Sequence, residues 1–249
     1  MVLAKKNLNR INRIRKRRRI IVKKGLSLLP NIFTLGNAFF GFCSIIFTAK
    51  LDFFSASYFI LLGALMDALD GRIARLVGAS SLIGLQLDSL ADAISFCLAP
   101  AFLIYFWQLK SFGFLGLFVS AIFFMAGLLR LARFNVIADQ QTIFFLGLPT
   151  TIAGCFLATV FLNISYIDET KVLAFIILFS SLILSFLMVS TVRFPAFKGK
   201  LFNLNRNWNK VVFVVLFAII AVMQFHRALL LLFLLYFFSA IMVVSKFKD

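Results

Sequence analysis

The chain contains a window of four aspartates, which reads Asp67-Ala68-Leu69-Asp70-Gly71-Arg72-Ile73-Ala74-Arg75 and, eight residues later, Gly84-Leu85-Gln86-Leu87-Asp88-Ser89-Leu90-Ala91-Asp92. The whole chain of 249 residues has only nine acidic residues, so four of them are concentrated beside strongly apolar segments. Ionised carboxylates near hydrocarbon are costly and are usually functional, because a cation must balance their charge. Only two arginines, Arg72 and Arg75, lie within the window. The pattern therefore predicts a bound divalent metal.

The window lies among apolar stretches that are long enough to span a bilayer. Hydrophobic residues form 62% of the chain and the mean hydropathy is +1.02, values that exclude an ordinary soluble domain. A helix needs about 20 apolar residues to cross the hydrocarbon core. We therefore predict an all-α, polytopic membrane bundle of about eight spans, at 32–49, 53–75, 84–107, 112–134, 146–164, 172–191, 211–225 and 228–245. The last two are close enough to form a re-entrant pair instead.

Positive charge is concentrated at the N-terminus of a chain whose net charge is +17. Residues 1–24 contain eleven lysines and arginines and no acid. Beside a membrane domain we interpret this run as a cytoplasmic anchor near anionic head groups, and not as a segment that binds nucleic acid. An inside N-terminus also puts loops 76–83, 135–145 and 192–210 inside. Most of the remaining basic residues lie in or at the edges of these loops and the C-terminus, among them Arg75, Arg133 and Lys198, as the positive-inside rule requires. We therefore expect the aspartates at the cytoplasmic face of the inner membrane.

The spacing of the aspartates predicts that they converge. Residues three or four apart share one helix face, so Asp67 and Asp70 form one stripe and Asp88 and Asp92 another. A short loop folds these two helices back to back, and clustered carboxylate oxygens suit Mg²⁺ or Mn²⁺. Arg75, beyond the acids, is placed to meet a phosphate.

Two other roles for the aspartates are open. One is that they form ion pairs that pack the helices together, although two arginines cannot neutralise four acids. The other is a cation transporter, whose site is usually near the midplane on broken helices.

The window resembles the signature of the CDP-alcohol phosphatidyltransferase family without a departure, as Asp67-x2-Asp70-Gly71-x2-Ala74-Arg75-x8-Gly84-x3-Asp88-x3-Asp92. Four flanking stretches are similar to those of the serine-using members: Leu29-Pro30-Asn31-Ile32-Phe33-Thr34-Leu35-Gly36-Asn37, Arg130-Leu131-Ala132-Arg133-Phe134-Asn135, Gly147-Leu148-Pro149-Thr150 and Val192-Arg193-Phe194-Pro195-Ala196-Phe197-Lys198. The resemblance covers roughly residues 27–200 and implies a six-helix catalytic core, often dimeric. We accordingly expect a basic tail at 1–26, the core at 27–200 and a transmembrane hairpin at 201–249.

The resemblance also implies a reaction, in which a phosphatidyl group passes from CDP-diacylglycerol to L-serine and CMP is released. It implies two Mg²⁺ or Mn²⁺ ions bound by Asp67, Asp70, Asp88 and Asp92, of which Asp92 is also the general base. It places the CDP part of the lipid against Asn31, Thr34, Gly71, Arg75 and Ser81. For serine the candidates are Arg130, Arg133 and Asn135, and the alternative is that the two arginines only anchor the chain inside. Family members that make phosphatidylglycerophosphate, phosphatidylinositol phosphate or phosphatidylcholine stay open as alternatives.

Overall fold

The computed structural model describes residues 28–77, 82–137, 144–164, 171–195, 227 and 229–237. The helices in this part of the chain are α1 (Leu28–Ala49), α2 (Phe53–Val77), α3 (Leu82–Asp92), α4 (Ala99–Trp107), α5 (Phe114–Ile137), α6 (Thr150–Ile164), α7 (Lys171–Val189) and α8 (229–237). A π-helical turn, Ala93–Leu98, joins α3 to α4, and a 3₁₀ turn, Leu109–Phe112, precedes α5. Two short strands, β1 (Phe144–Leu146) and β2 (Arg193–Pro195), pair antiparallel.

Five helical segments are long and apolar enough to cross a membrane: Pro30–Ala49, Phe53–Leu76, Ile83–Trp107, Phe114–Val136 and Lys171–Val189. Helix α6 is also apolar but has only 15 residues, fewer than those five segments. The prediction of an all-α, multi-pass membrane protein is thus confirmed, with the β1–β2 pair as a small addition. The count of eight spans stays a prediction, because 211–225 lies outside the residues described and 228–245 is described only for 229–237.

The predicted start of the fifth span, at residue 146, is wrong. Leu146 belongs to β1, and α6 begins only at Thr150. Gly147 adopts a positive φ of 78°, a conformation that favours glycine, and its N–H donates to the carbonyl of Val192 at 2.9 Å. Pro149 then precedes the first helical residue. The apolar run continues across this turn, so hydropathy alone misplaces the boundary.

The helices pack so that apolar side chains are both inside and outside the bundle. Phe96 and Phe123 are fully buried in the core, whereas Phe39 on α1 and Phe186 on α7 are 60% and 74% exposed. Such exposed apolar faces suit contact with lipid, since a helix that is hydrophobic all round belongs in a core or a membrane. The polar residues discussed below are therefore exceptions within an apolar bundle.

Asp52 caps the start of α2, at the end of the helix opposite the aspartate window. Its carboxylate accepts a hydrogen bond from the backbone N–H of Ser55 at 3.0 Å. Hydrogen bonds from the Ser55 hydroxyl and N–H lower the pKa of Asp52. An ionised carboxylate at a helix N-terminus is also favoured by the helix dipole. This acid thus has a local role in the helix.

Candidate active site

Three of the four aspartates in the window meet between the C-terminal half of α2 and the middle of α3. One carboxylate oxygen from each of Asp67, Asp70 and Asp88 lies within 4.8 Å of those of the other two. Asp70 is only 6% exposed. Oδ1 of Asp88 is buried without a hydrogen-bond partner among the residues described. A buried oxygen without a partner is costly, and three hard oxygen donors suit a divalent cation. This acidic trio could therefore bind a metal ion.

Asp92 is not part of the acidic trio, although it lies one turn beyond Asp88 on the same helix. It is 9% exposed, and its Oδ1 accepts a hydrogen bond from Nδ2 of Asn37 at 3.2 Å. Asp92 interacts electrostatically with Asp67, Asp88 and Arg130, so it belongs to the same charged neighbourhood. The role of Asp92 as a metal ligand stays a prediction. Its position outside the acidic trio is compatible with the predicted role of general base.

Two threonines from other helices hold carboxylates of the acidic trio. The hydroxyl of Thr34 on α1 donates to Oδ2 of Asp70 at 2.8 Å, and Thr34 is only 3% exposed. The hydroxyl of Thr151 on α6 bonds to Asp67. Such supporting bonds orient ligating groups. The predicted contact of Thr34 with the CDP part of a lipid stays a prediction. Thr151 was missed, although it directly follows the Gly147–Thr150 stretch.

Among the remaining residues expected near a CDP group, Gly71 faces an open space. A Cβ atom added at Gly71 would meet nothing within 4 Å, so the helix backbone is open to a ligand there. Arg75 is exposed, and its Nε donates to the Gly71 carbonyl at 2.9 Å, which folds the side chain back along α2. Asn31 is half-buried on α1, one turn before Thr34. Ser81 lies outside the residues described.

Arg130 brings a positive charge to the buried acids. It projects from α5, is 8% exposed, and interacts electrostatically with Asp92. Its Nη1 lies 3.4 Å from the hydroxyl oxygen of Thr150, and its guanidinium lies 5.2 Å from the ring of Phe134. A buried guanidinium needs partners of this kind, because removing charge from water is expensive. Arg130 is therefore close enough to the predicted base to interact with it electrostatically.

Arg133 and Asn135 have mainly structural partners. The Arg133 guanidinium donates to four backbone carbonyls, those of Leu146, Met188, Val189 and Ser190, at 2.8–3.2 Å. Three of these carbonyls are at the C-terminal end of α7, where helix carbonyls lack partners and the dipole favours a cation. Asn135 pairs with Ser89, with Nδ2 and Oγ 2.9 Å apart. Contacts of Arg133 and Asn135 with serine stay predictions.

An apolar cleft of about 530 Å³ adjoins the acidic trio. Its walls come from α2, α6 and α8, and include Leu61, Leu65, Ile152 and Phe233. Thr151 also lines the cleft, and it is the residue whose hydroxyl bonds to Asp67. The cleft therefore places apolar surface suited to hydrocarbon next to a potential metal site. Sequence reasoning missed it because its walls are far apart along the chain.

Comparison with known proteins agrees with this geometry. The family model for CDP-alcohol phosphatidyltransferase matches residues 27–187, a range that holds the acidic trio, Asp92 and Arg130. The chain is 38% identical over 186 residues to the CDP-diacylglycerol–serine O-phosphatidyltransferase of Helicobacter pylori, covering 72% of this chain and 76% of that protein. It is 34% identical over 173 residues to the enzyme of the same name from Bacillus subtilis, covering 70% and 93%. It is also 34% identical over 173 residues to the archaetidylserine synthase of Methanothermobacter thermautotrophicus, covering 69% and 71%. The chain therefore belongs to the CDP-alcohol phosphatidyltransferase family.

Proposed function

We propose that the protein transfers the phosphatidyl group of CDP-diacylglycerol to the hydroxyl of L-serine, giving phosphatidylserine and CMP. The observation that carries the proposal is the acidic trio within the family-matched region, beside an apolar cleft. The names of the similar proteins support serine as the acceptor. A lipid donor with a charged head and hydrocarbon tails fits a site that pairs carboxylates with apolar walls.

The residues present fit divalent cations. We propose that Asp67, Asp70 and Asp88, together with Asp92, hold two Mg²⁺ or Mn²⁺ ions, because carboxylate oxygens are the ligands that these hard cations prefer. Oδ1 of Asp88 is buried without a hydrogen-bond partner in the part of the chain described, so a bound cation would satisfy it. When bound, such ions supply positive charge that stabilises the pyrophosphate and the departing CMP.

The residues of the chain supply the acid–base chemistry. Asp92 takes the proton of the serine hydroxyl while the serine oxygen bonds to the phosphorus that carries diacylglycerol. The bond from this phosphorus to the oxygen of CMP breaks, so CMP leaves with the electron pair. The open space at Gly71 admits the head group, and Asn31, Thr34, Arg75 and Ser81 are proposed to contact it. We expect direct displacement, without a covalent enzyme intermediate.

An acceptor panel tests the proposed function. Purified protein in lipid vesicles is supplied with radiolabelled CDP-diacylglycerol, Mn²⁺ and one of serine, glycerol 3-phosphate, inositol 1-phosphate or choline. We expect metal-dependent release of CMP and a labelled lipid product with serine alone. A product with another acceptor would reassign the protein within the family. Failure to release CMP with any acceptor would favour the transporter alternative.

The proposed serine site distinguishes Arg130 from Arg133. We expect Arg130→Lys to raise KM for serine about tenfold, because a lysine keeps the charge but loses bidentate binding of the serine carboxylate. Loss of a charge-assisted hydrogen bond costs roughly 1.5–3 kcal/mol, and a tenfold rise corresponds to about 1.4 kcal/mol, so tenfold is the smallest rise to expect. Arg133→Lys should instead lower the thermal midpoint, since four carbonyls lose their common donor. Steady-state kinetics with serine varied, and a melting curve, measure the two effects.

Arg133→Lys thus serves as the matched control for Arg130→Lys. An unchanged serine KM in Arg130→Lys would mean that Arg130 only balances the charge of the acids. A serine KM that rises in Arg133→Lys alone would return the serine site to Arg133 and Asn135. KM for CDP-diacylglycerol should stay within about twofold in both variants.

We propose that the protein lies in the inner membrane with the acidic trio at the cytoplasmic face. The basic charge of residues 1–24, and the lysines and arginines in or at the edges of the expected inside loops, support this orientation. Single cysteines introduced at Ser80 and Asp168 should be labelled by an impermeant maleimide from opposite sides, with Ser80 inaccessible from outside. Labelling of Ser80 from the outside would reverse the orientation.

The domain division and the assembly are also proposals. The family match ends at residue 187, which is compatible with a core at 27–200, a basic tail at 1–26 and a C-terminal hairpin at 201–249.

The resemblance to the family supports a homodimer. Light scattering of the purified protein in detergent measures its mass, and a value for one chain would exclude the dimer under those conditions.

A further inference from the structure

Asn37 links α1 to the helix that carries Asp92. The Asn37 side chain is fully buried, and its Nδ2 donates to Oδ1 of Asp92 at 3.2 Å. Its backbone carbonyl accepts a hydrogen bond from the hydroxyl of Ser95 at 2.8 Å. Ser95 lies in the π-helical turn that directly follows Asp92. One residue of α1 therefore contacts both the carboxylate and the turn behind it.

Glycines allow this close approach of three helices. A Cβ atom at Gly63 on α2 would lie 3.0 Å from Oδ1 of Asn37, and one at Gly41 on α1 would collide with Ser95. Oδ1 of Asn37 is buried against Gly63 without a hydrogen-bond partner in the described part of the chain. Because an ionised carboxylate can only accept, the NH₂ group is the half of the amide that can face Asp92. The orientation of the amide follows from this requirement.

We infer that Asn37 is a positioning residue for Asp92 in phosphatidyl transfer, an inference that rests on the proposed function. The amide holds Oδ1 of Asp92 and thereby leaves Oδ2 as the oxygen that receives the proton of the acceptor hydroxyl. Leaving one polar atom of Asn37 buried and unpaired has a cost. An apolar residue at this position would avoid that cost, so a role in packing alone does not account for the amide. Asn37 acts through Asp92 and contacts no substrate.

The substitution Asn37→Leu tests this role, because leucine has a similar volume but no donor. We expect kcat to fall about tenfold to a hundredfold, the usual effect of losing a supporting partner in a metal site. KM for CDP-diacylglycerol and its metal-dependent binding should stay within about twofold. Asn37→Asp keeps the shape of the side chain but replaces the amide donor by a second acid, which either repels an ionised Asp92 or shares its proton, so it should lower kcat at least as much. This isosteric variant keeps the test valid if leucine prevents folding.

Ser44→Ala is the matched control. Ser44 lies two turns along the same helix, is fully buried, and its hydroxyl has no hydrogen-bond partner in the described part of the chain. Its removal should leave kcat within twofold of wild type. A kcat above half of the wild-type value in Asn37→Leu or Asn37→Asp would overturn the inference, as would a loss that appears wholly in KM. If the wild-type protein makes no phosphatidylserine, the proposed function itself has failed, which is a different outcome.

Discussion

We expect Asp88→Asn to reduce serine-dependent release of CMP to less than a tenth of the wild-type rate, and Asp67→Asn to do the same. Each change replaces a charged oxygen of the acidic trio by a neutral amide, while the volume of the side chain is kept. A tenfold loss corresponds to about 1.4 kcal/mol in the activation barrier, and loss of a ligand to a catalytic cation should exceed this. CMP release by purified protein at saturating Mn²⁺ is the measurement.

Asp52→Asn is the matched control, because Asp52 is an acid that caps the opposite end of the helix that carries Asp67. Asparagine caps helices as well as aspartate does, so activity should be unchanged. Thermal melting gives a second readout. Mn²⁺ should raise the thermal midpoint of wild type and of Asp52→Asn, since a ligand that binds the native state stabilises it. In Asp88→Asn this rise should shrink or vanish. Near-normal turnover in Asp67→Asn or Asp88→Asn would remove the ligand role.

The second large effect is expected at Asp92. Asp92→Asn should lower kcat by about a hundredfold or more, within the range of 10²–10⁴ that general acid–base catalysis contributes. CDP-diacylglycerol should still bind in the presence of metal, because the acidic trio is intact. Asp70→Asn should instead weaken this metal-dependent binding, since Asp70 belongs to the trio and is held by Thr34.

Binding of a fluorescent CDP-lipid, with and without Mn²⁺, separates the two roles. Thr34→Val is a useful companion to Asp70→Asn, because it removes only the hydroxyl that donates to Asp70 at 2.8 Å. Thr34→Val should also weaken the metal-dependent binding of the CDP-lipid, but less than Asp70→Asn does. If Asp92→Asn and Asp70→Asn lose lipid binding equally, this test does not separate the two residues, and the role of Asp92 as the base loses its support.

Much of the fold and the centre of the site could be predicted from the sequence. The lengths of the apolar stretches predicted the membrane helices, because bilayer thickness sets a length that a single sequence displays. The spacing of the aspartates predicted the meeting of Asp67, Asp70 and Asp88, because helical periodicity and one short connection fix their faces. Both inferences depend on local geometry.

The remaining parts of the site depend on contacts between distant helices. Arg130 and Arg133 are three residues apart, yet Arg130 interacts electrostatically with Asp92 whereas Arg133 binds the end of α7. No periodicity distinguishes them, since the difference comes from which helices pack against each side of α5. Thr151 and Asn37 were missed for the same reason. Each makes its contact with an aspartate of another helix.

The π-helical turn at Ala93–Leu98 has a consequence for the aspartates before it. A π-helical turn accommodates one residue more than the α-helix around it, and a residue occupies about 100° of rotation. The face of α3 that carries Asp88 and Asp92 is therefore rotated, about the helix axis, relative to where an uninterrupted α-helix from α3 to α4 would put it. A helical wheel drawn continuously through 82–107 would therefore misplace the two acids by about that angle relative to α4. The direction in which these carboxylates point is set by the backbone after them as well as by their own spacing.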